Sequence, residues 1–208
     1  GGVSGAGTVG LNGDGSQFNL SFPDGVGRGD VLLSNRAVVN VRADNGGSIA
    51  INARNLDMAG ESELLAGIAD GLGSVNSKAG NIEFNTQQAV NLKDESGIRN
   101  SVQSRAIGQG GDVRITAGSL SLTSGSLIFT TTYGRGDAGD VTITARYTVS
   151  SDGLLGGNAS GVYSSVLFGA VGNGGDISIT TGSLSFTNGA VLITSNNGQG
   201  DAGTITIN

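Results

Sequence analysis

Residues 110–115 read Gly110-Gly111-Asp112-Val113-Arg114-Ile115, and residues 174–179 read Gly174-Gly175-Asp176-Ile177-Ser178-Ile179. The phrase is a small residue, a glycine, a small polar residue, then two apolar residues spaced by one. It recurs at 46–51, 79–84, 138–143 and 202–207, with its second glycine at 47, 80, 111, 139, 175 and 203. The units are therefore 28–36 residues long. A double period is sharper, since 47 to 111, 111 to 175 and 139 to 203 are each 64 residues. Segments 110–144 and 174–208 share 19 identities in 35 positions. Repeats of this length signal units that bury their apolar faces by stacking on one another.

Between the glycines the chain alternates, as in Val141-Thr142-Ile143-Thr144 and Ile177-Ser178-Ile179-Thr180. A period of two with β-branched residues is the mark of a half-buried strand. Long helical periodicity is absent; residues 62–71 are the one stretch that reads as a short helix. Each unit holds three strand-like segments, which in the unit from Gly111 are 113–116, 120–123 and 126–131. Gly118, Gly125 and the glycine-rich stretch 134–139 punctuate them, where sharp bends need a permissive backbone. The predicted fold is all-β, a parallel β-helix with three short strands per turn, each turn about 4.8 Å above the last. An antiparallel sandwich does not explain similar-length units with apolar positions in phase. Regular turns are expected over 47–208, starting near 47, 80, 111, 139, 175 and 203. Residues 1–46 read as one or two incomplete turns, with alternation at 18–22 and 39–41.

The phase of the alternation assigns the core. First-strand pairs are Ile49/Ile51, Ile82/Phe84, Val113/Ile115, Val141/Ile143, Ile177/Ile179 and Ile205/Ile207. Second-strand pairs are Leu56/Met58, Val90/Leu92, Leu120/Leu122, Tyr147/Val149 and Leu184/Phe186. In the third strand alternation breaks down. The inward set is read as Ile98/Asn100/Val102, Ser126/Ile128/Thr130, Val162/Ser164/Val166 and Ala190/Leu192/Thr194. That phase turns Leu127, Phe129, Tyr163, Leu167, Val191 and Ile193 outward in three successive turns, a candidate interaction strip. The inverted phase would expose Ile128 and Leu192 instead. A strand apolar on both sides is normally covered on both sides, and a contiguous apolar patch marks an interaction site.

Composition narrows the chemistry. The 208 residues include 39 Gly and one Pro, with no Cys, His or Trp. There is no disulfide framework, no thiol nucleophile and no imidazole for general-base or metal work. With 11 Lys+Arg against 17 Asp+Glu the formal charge is −6, against a polyanion-binding surface. No apolar run approaches the roughly 20 residues of a membrane span. The chain opens without Met or a signal peptide and stops at Asn208 directly after a strand. The expectation is that the natural protein continues and that the open end can stack end to end.

The phrases "GNGGDISITTGSLSFTNGA" at 172–190 and "GQGDAGTITIN" at 198–208 resemble the repeat region of filamentous-haemagglutinin-like exoproteins, particularly large cyanobacterial ones. The segment "GSLSLT-x-G" at 118–125 returns, with Phe186, at 182–189. The resemblance covers about residues 46–208. It implies a right-handed β-helical stem, export by two-partner secretion, and a role as an adhesin or surface filament. The Asn-Pro-Asn-Gly-type motif of the family's secretion domain is not in this sequence, whose one Pro is Pro23. The chain would be stem, without the secretion domain.

Other candidates are weighed on their residues. Arg28-Gly29-Asp30 and Arg135-Gly136-Asp137 are RGD tripeptides, read as lying at the glycine-rich turn. The equivalent turn carries Gln199-Gly200-Asp201, so Arg there is incidental to the repeat. Asp112, Asp137, Asp140, Asp176 and Asp201 cluster at these turns. They suit calcium or, more plainly, acceptance of backbone N–H groups. An ice-binding face would need a regular Thr array, but only Thr142/Thr144 is a Thr pair on the first strand's outer side. Polysaccharide cleavage needs paired carboxylates on one face. Glu61 and Glu63, read as alternating on one strand, and the adjacent Asp94-Glu95 lack a recurring basic partner. Asn19-Leu20-Ser21 and Asn158-Ala159-Ser160 match the glycosylation sequon and are given no weight.

The expected function is a structural stem segment of a secreted or cell-surface adhesin, without catalysis, cofactor or metal. The alternative is a polysaccharide-binding or polysaccharide-cleaving β-helix. Expected partners are a second copy, laterally or end to end, neighbouring segments of a longer parent, or a cell-surface glycan or protein. Nucleic acid is not expected.

Overall fold

Val31, Leu56, Val90, Leu120, Val149 and Leu184 lie in register on successive strands, one turn apart, each pair in a parallel ladder. So do Ile49, Ile82, Val113, Val141, Ile177 and Ile205. A third column is Val39, Leu64, Ile98, Ile128, Val162 and Leu192. These three columns define the three faces of a β-solenoid of about five turns, each of about 31 residues. The structure, a computed structural model, describes residues 10–13, 18–21 and 27–208, and no helix occurs among them.

The columns meet in one continuous core. Leu56, Leu64, Ile82, Leu92, Ile98, Leu120, Ile128 and Ile143 are fully buried. Each contributes about 1.5–3 kcal/mol through removal from water. Rungs at the ends of the stack lack a neighbour on one side. Ile51, Leu184 and Leu192 are only partly buried, and Ile205 and Ile207 are exposed.

The first and second strands fuse across their corner into Val113–Thr123, Val141–Asp152 and Ile177–Thr187. The corner between second and third strands is a tight bend with left-handed residues at Asn35 and Arg36, Asp94 and Glu95, and Ser124 and Gly125. Between third and first strands runs the glycine-rich corner.

Several sequence expectations are corrected here. Residues 62–71 are not helical: Glu63–Ile68 is a third-face strand. It pairs with strands of the turns on either side, and that pairing overrides local pattern. Tyr147 is not core. An extra residue in Val141–Asp152 shifts the register so that Thr148 meets Ser119 and Val149 meets Leu120. The buried second-strand pair of that turn is Val149/Ser151, and Tyr147 is 59% exposed. Glu61 does not share a strand with Glu63; it sits in the corner with φ +59°.

Three pieces depart from the stack. Gly73–Lys78 pairs in parallel with Ile107–Gln109, and Leu154–Leu155 forms a small antiparallel hairpin with Asn158–Ala159. Phe18–Ser21 pairs antiparallel with Gly10–Gly13, while Val31–Leu33 and Val38–Asn40 join the parallel stack. Phe22 and Pro23 lie outside the described residues.

Candidate functional site

The glycine-rich corner explains why the third strand breaks the rule of apolar-in, polar-out. Backbones of successive turns approach closely there. A Cβ on Gly111, Gly139, Gly175 or Gly203 would stand 2.0–2.2 Å from the carbonyl oxygen of the matching glycine one turn earlier. Peptide groups that close need partners from inside. Asn100 donates from Nδ2 to Gly80 O and Asp112 O at 2.9 and 3.2 Å. Ser164 donates to Gly139 O at 3.3 Å and accepts from Gly175 N at 2.8 Å. Thr194 donates to Gly203 O at 2.8 Å. These inward polar residues occupy one column, Asn100–Thr130–Ser164–Thr194. Thr130 is buried in it without such a partner.

The turn carboxylates are likewise engaged along the axis. Ser48 Oγ accepts from Asn81 N, and Asn81 Oδ1 from Asp112 N, at 3.2 and 3.0 Å. Asp112 Oδ1 accepts from Asp140 N, Asp140 Oδ1 from Asp176 N, and Asp176 Oδ1 from Thr204 N, at 3.0, 2.8 and 2.7 Å. A second ladder runs Gln109–Asp137–Asn173–Asp201, each side chain accepting from the backbone N–H of the next residue in the series. Asp112, Asp137, Asp140 and Asp176 thus serve as backbone acceptors, with the donor one turn away, while Asp201 ends the second ladder through its backbone N–H. Among the described residues no group of three or more His, Cys, Asp or Glu could hold a metal ion.

The RGD tripeptides occupy different corners. Gly136 stacks over Gly108 in the glycine-rich corner, and Asp137 is bound in the second ladder. Arg28-Gly29-Asp30 lies between first and second strands, where Arg54 N donates to Gly29 O at 2.8 Å. Hydrogen bonds from Arg54, then Asn55, hold the Asp30 carboxyl down to about 2. The acidic residues do come together: Glu61, Glu63 and Glu95 line one open depression of about 430 Å³ with Arg36, Arg99 and Asn158, but each carboxylate there is already engaged. Glu61 pairs with Arg36 at 3.1 Å, Glu63 with Arg99 at 2.8 Å, and Glu95 accepts from Asn158 at 2.9 Å.

The outer side of the third face is the remaining candidate. Ladder pairing places Leu65, Arg99, Phe129, Tyr163 and Ile193 in one outward column. Leu127, Gly161 and Val191 form the column before it, and Ser101, Thr131, Ser165 and Ser195 the column after it. The large column is a wall and the small one a floor. Tyr133 and Leu167 close the far side. The result is an open groove of about 180 Å³ lined by Leu127, Phe129, Thr131, Tyr133, Tyr163, Ser165 and Leu167.

The six strip residues point outward, yet none is highly exposed. Phe129 is only 8% exposed, because the Arg99 guanidinium lies 4.5 Å from its ring centroid and Tyr163 stands on the next rung. Val191 and Ile193 are half-buried on the last third-face strand, and partial burial raises the pKa of the Tyr163 phenol. Arg42, beyond the charged end of the groove, is half-buried and forms no ion pair among the described residues; desolvation lowers its pKa.

Sequence reasoning missed Tyr133, Arg99 and Phe168. Tyr133 continues the spacing of two from Leu127 through Phe129 and Thr131, so the signal was present. Arg99 follows once Ile98 is registered against Ile128. Phe168, 94% exposed in the loop after Leu167, has no counterpart in neighbouring turns and no repeat signal. A larger depression of about 440 Å³, beside Val75 and Arg135, lies where Gly73–Lys78 overhangs the glycine-rich corner. It gathers no nucleophile or carboxylate. No family model, curated protein or solved structure matches the chain, so its functional reading rests on this geometry.

Proposed function

We propose that this chain is a non-catalytic structural stem segment of a secreted or cell-surface adhesin or filament. The observation that carries the reading is the double axial ladder of side-chain acceptors. Ser48, Asn81, Asp112, Asp140 and Asp176 in one series, and Gln109, Asp137 and Asn173 in the other, each bind the backbone of the following turn. Turn residues that elsewhere bind metals or substrates are here used to fasten one turn to the next. A quasi-one-dimensional stack held this way extends by adding turns without changing its cross-section, which is what a stem requires.

The test is location. Antibody against the folded chain should label intact cells or shed filaments without permeabilisation; labelling that appears only after lysis refutes the reading. A polysaccharide-binding role is the second reading. It is favoured by the rings of Phe129, Tyr133 and Tyr163 beside the hydroxyls of Thr131 and Ser165, which suit the apolar and hydroxylated faces of a sugar. A glycan array with a reducing-sugar assay separates the two.

A further inference from the structure

Phe168 and the groove next to it form a knob and a hole on one surface. Phe168 is 94% exposed, the most exposed of the large apolar side chains described. It follows Leu167, which lines the groove, but does not fill it. Apolar surface continues past the other side of the groove. Leu154 and Leu155, 57% and 44% exposed, fold over the corner glycines Gly189 and Gly125, next to the strand carrying Leu127.

We propose that the third face of the last three turns is a two-fold homodimer interface, in which Phe168 of each copy seats in the groove formed by Leu127, Phe129, Tyr133, Tyr163 and Leu167 of the other. A two-fold interface is self-complementary, so knob and hole must both lie on the one patch, as they do here.

Charge favours a second copy as the occupant. The chain carries −6, so most of its faces would repel a copy. The third-face segments of these three turns, residues 127–133, 161–167 and 191–197, contain no charged side chain. The charged residues Arg36, Glu61, Glu63 and Arg99 lie on earlier turns.

Area sets the strength. Six residues at about 3.3 Å by three rungs at about 4.8 Å give a sheet footprint of about 300 Å². Phe168 adds about 200 Å². The total of about 500 Å² per copy falls below the ~800 Å² of a standard interface, so the dimer is weak and concentration-dependent. The pairing does not depend on where the protein acts, so its failure leaves the stem reading untouched.

Sedimentation equilibrium of the purified chain over a wide concentration range tests it. The weight-average mass should rise from 20.5 kDa toward twice that value. Phe168→Ser should weaken association at least about tenfold, in the manner of a truncated hot spot, with an unchanged circular dichroism spectrum and melting temperature. A strictly monomeric wild type overturns the proposal. So does association that ignores Phe168→Ser but is lost in Ile207→Lys, which would mean end-to-end stacking. A monomer that binds an arrayed oligosaccharide in a Phe129- and Tyr163-dependent way assigns the groove to a glycan and also overturns it.

Discussion

Replacing Gly139 with Ala isolates the steric demand of stacked turns from the conformational freedom of glycine. Gly139 does not have a left-handed backbone, so alanine costs nothing in φ there. Its Cβ, however, would stand 2.0 Å from Gly111 O, where ordinary contact begins at 3.4 Å. The two turns must separate locally by about 1.4 Å. Flanking bonds span the same gap: Gly110 N to Asp137 O at 2.9 Å, Val113 N to Asp140 O at 2.8 Å, and Asp140 N to Asp112 Oδ1 at 3.0 Å. Opened by that amount, all three pass out of hydrogen-bonding range. At about 1 kcal/mol each the loss is about 3 kcal/mol. The control is Gly153→Ala, at φ +82° with nothing within 4 Å of the new Cβ; left-handed strain alone costs about 1–2 kcal/mol. Urea denaturation followed by circular dichroism gives both values, and hydrogen exchange should place the Gly139→Ala damage at the bonds around 110–113 and 140. If Gly139→Ala is no more destabilised than Gly153→Ala, close backbone stacking is not what the repeated glycine serves.

Asp140→Ala should lower stability by about 1 kcal/mol through loss of its bond to Asp176 N, while Asp140→Asn, which keeps an acceptor, should cost less; thermal melts of the two variants check the order. Tyr147→Ser should lie within about 0.5 kcal/mol of wild type, whereas Val149→Ala should cost about 2 kcal/mol; equal losses would restore Tyr147 to the core. Asp30 has a folded pKa of about 2 against an ordinary 3.8. Its depressed value means that its contribution is present above about pH 4 and is lost as pH falls toward 2. The melting-temperature gap between wild type and Asp30→Ala should therefore close over that window; a gap that is constant from pH 6 to pH 2 would contradict the pairing with Arg54.

The repeat determined much of the molecule before any coordinates. Period-two alternation in 113–116 and 141–144, with the same glycine phrase 28–36 residues on, leaves little besides a stack of parallel strands, because like residues bury themselves by lying over like. The first-strand columns from Ile49 to Ile179 follow from the same phase; for the third strand the sequence left two phases open, and it is the stacking that buries Ile128 and Val162 and turns Leu127, Phe129, Tyr163 and Ile193 outward. Only the tertiary structure decided the rest. The strand at Glu63–Ile68 exists because neighbouring turns offer it backbone partners, a preference that a ten-residue window does not contain. Tyr147 faces water because one extra residue in its turn is absorbed as a bulge, and where a bulge falls depends on the strands on either side. One of the two third-strand phases reads Asn100, Ser164 and Thr194 inward; only the stacked turns supply the reason, since these side chains answer the carbonyls and N–H groups of the adjoining glycine-rich corner. Phe168 and its groove are neighbours because Leu167 ends a strand whose floor, walls and rim come from turns about thirty residues apart. Sequence periodicity reports what repeats; a knob that occurs once becomes visible only when the turns are stacked.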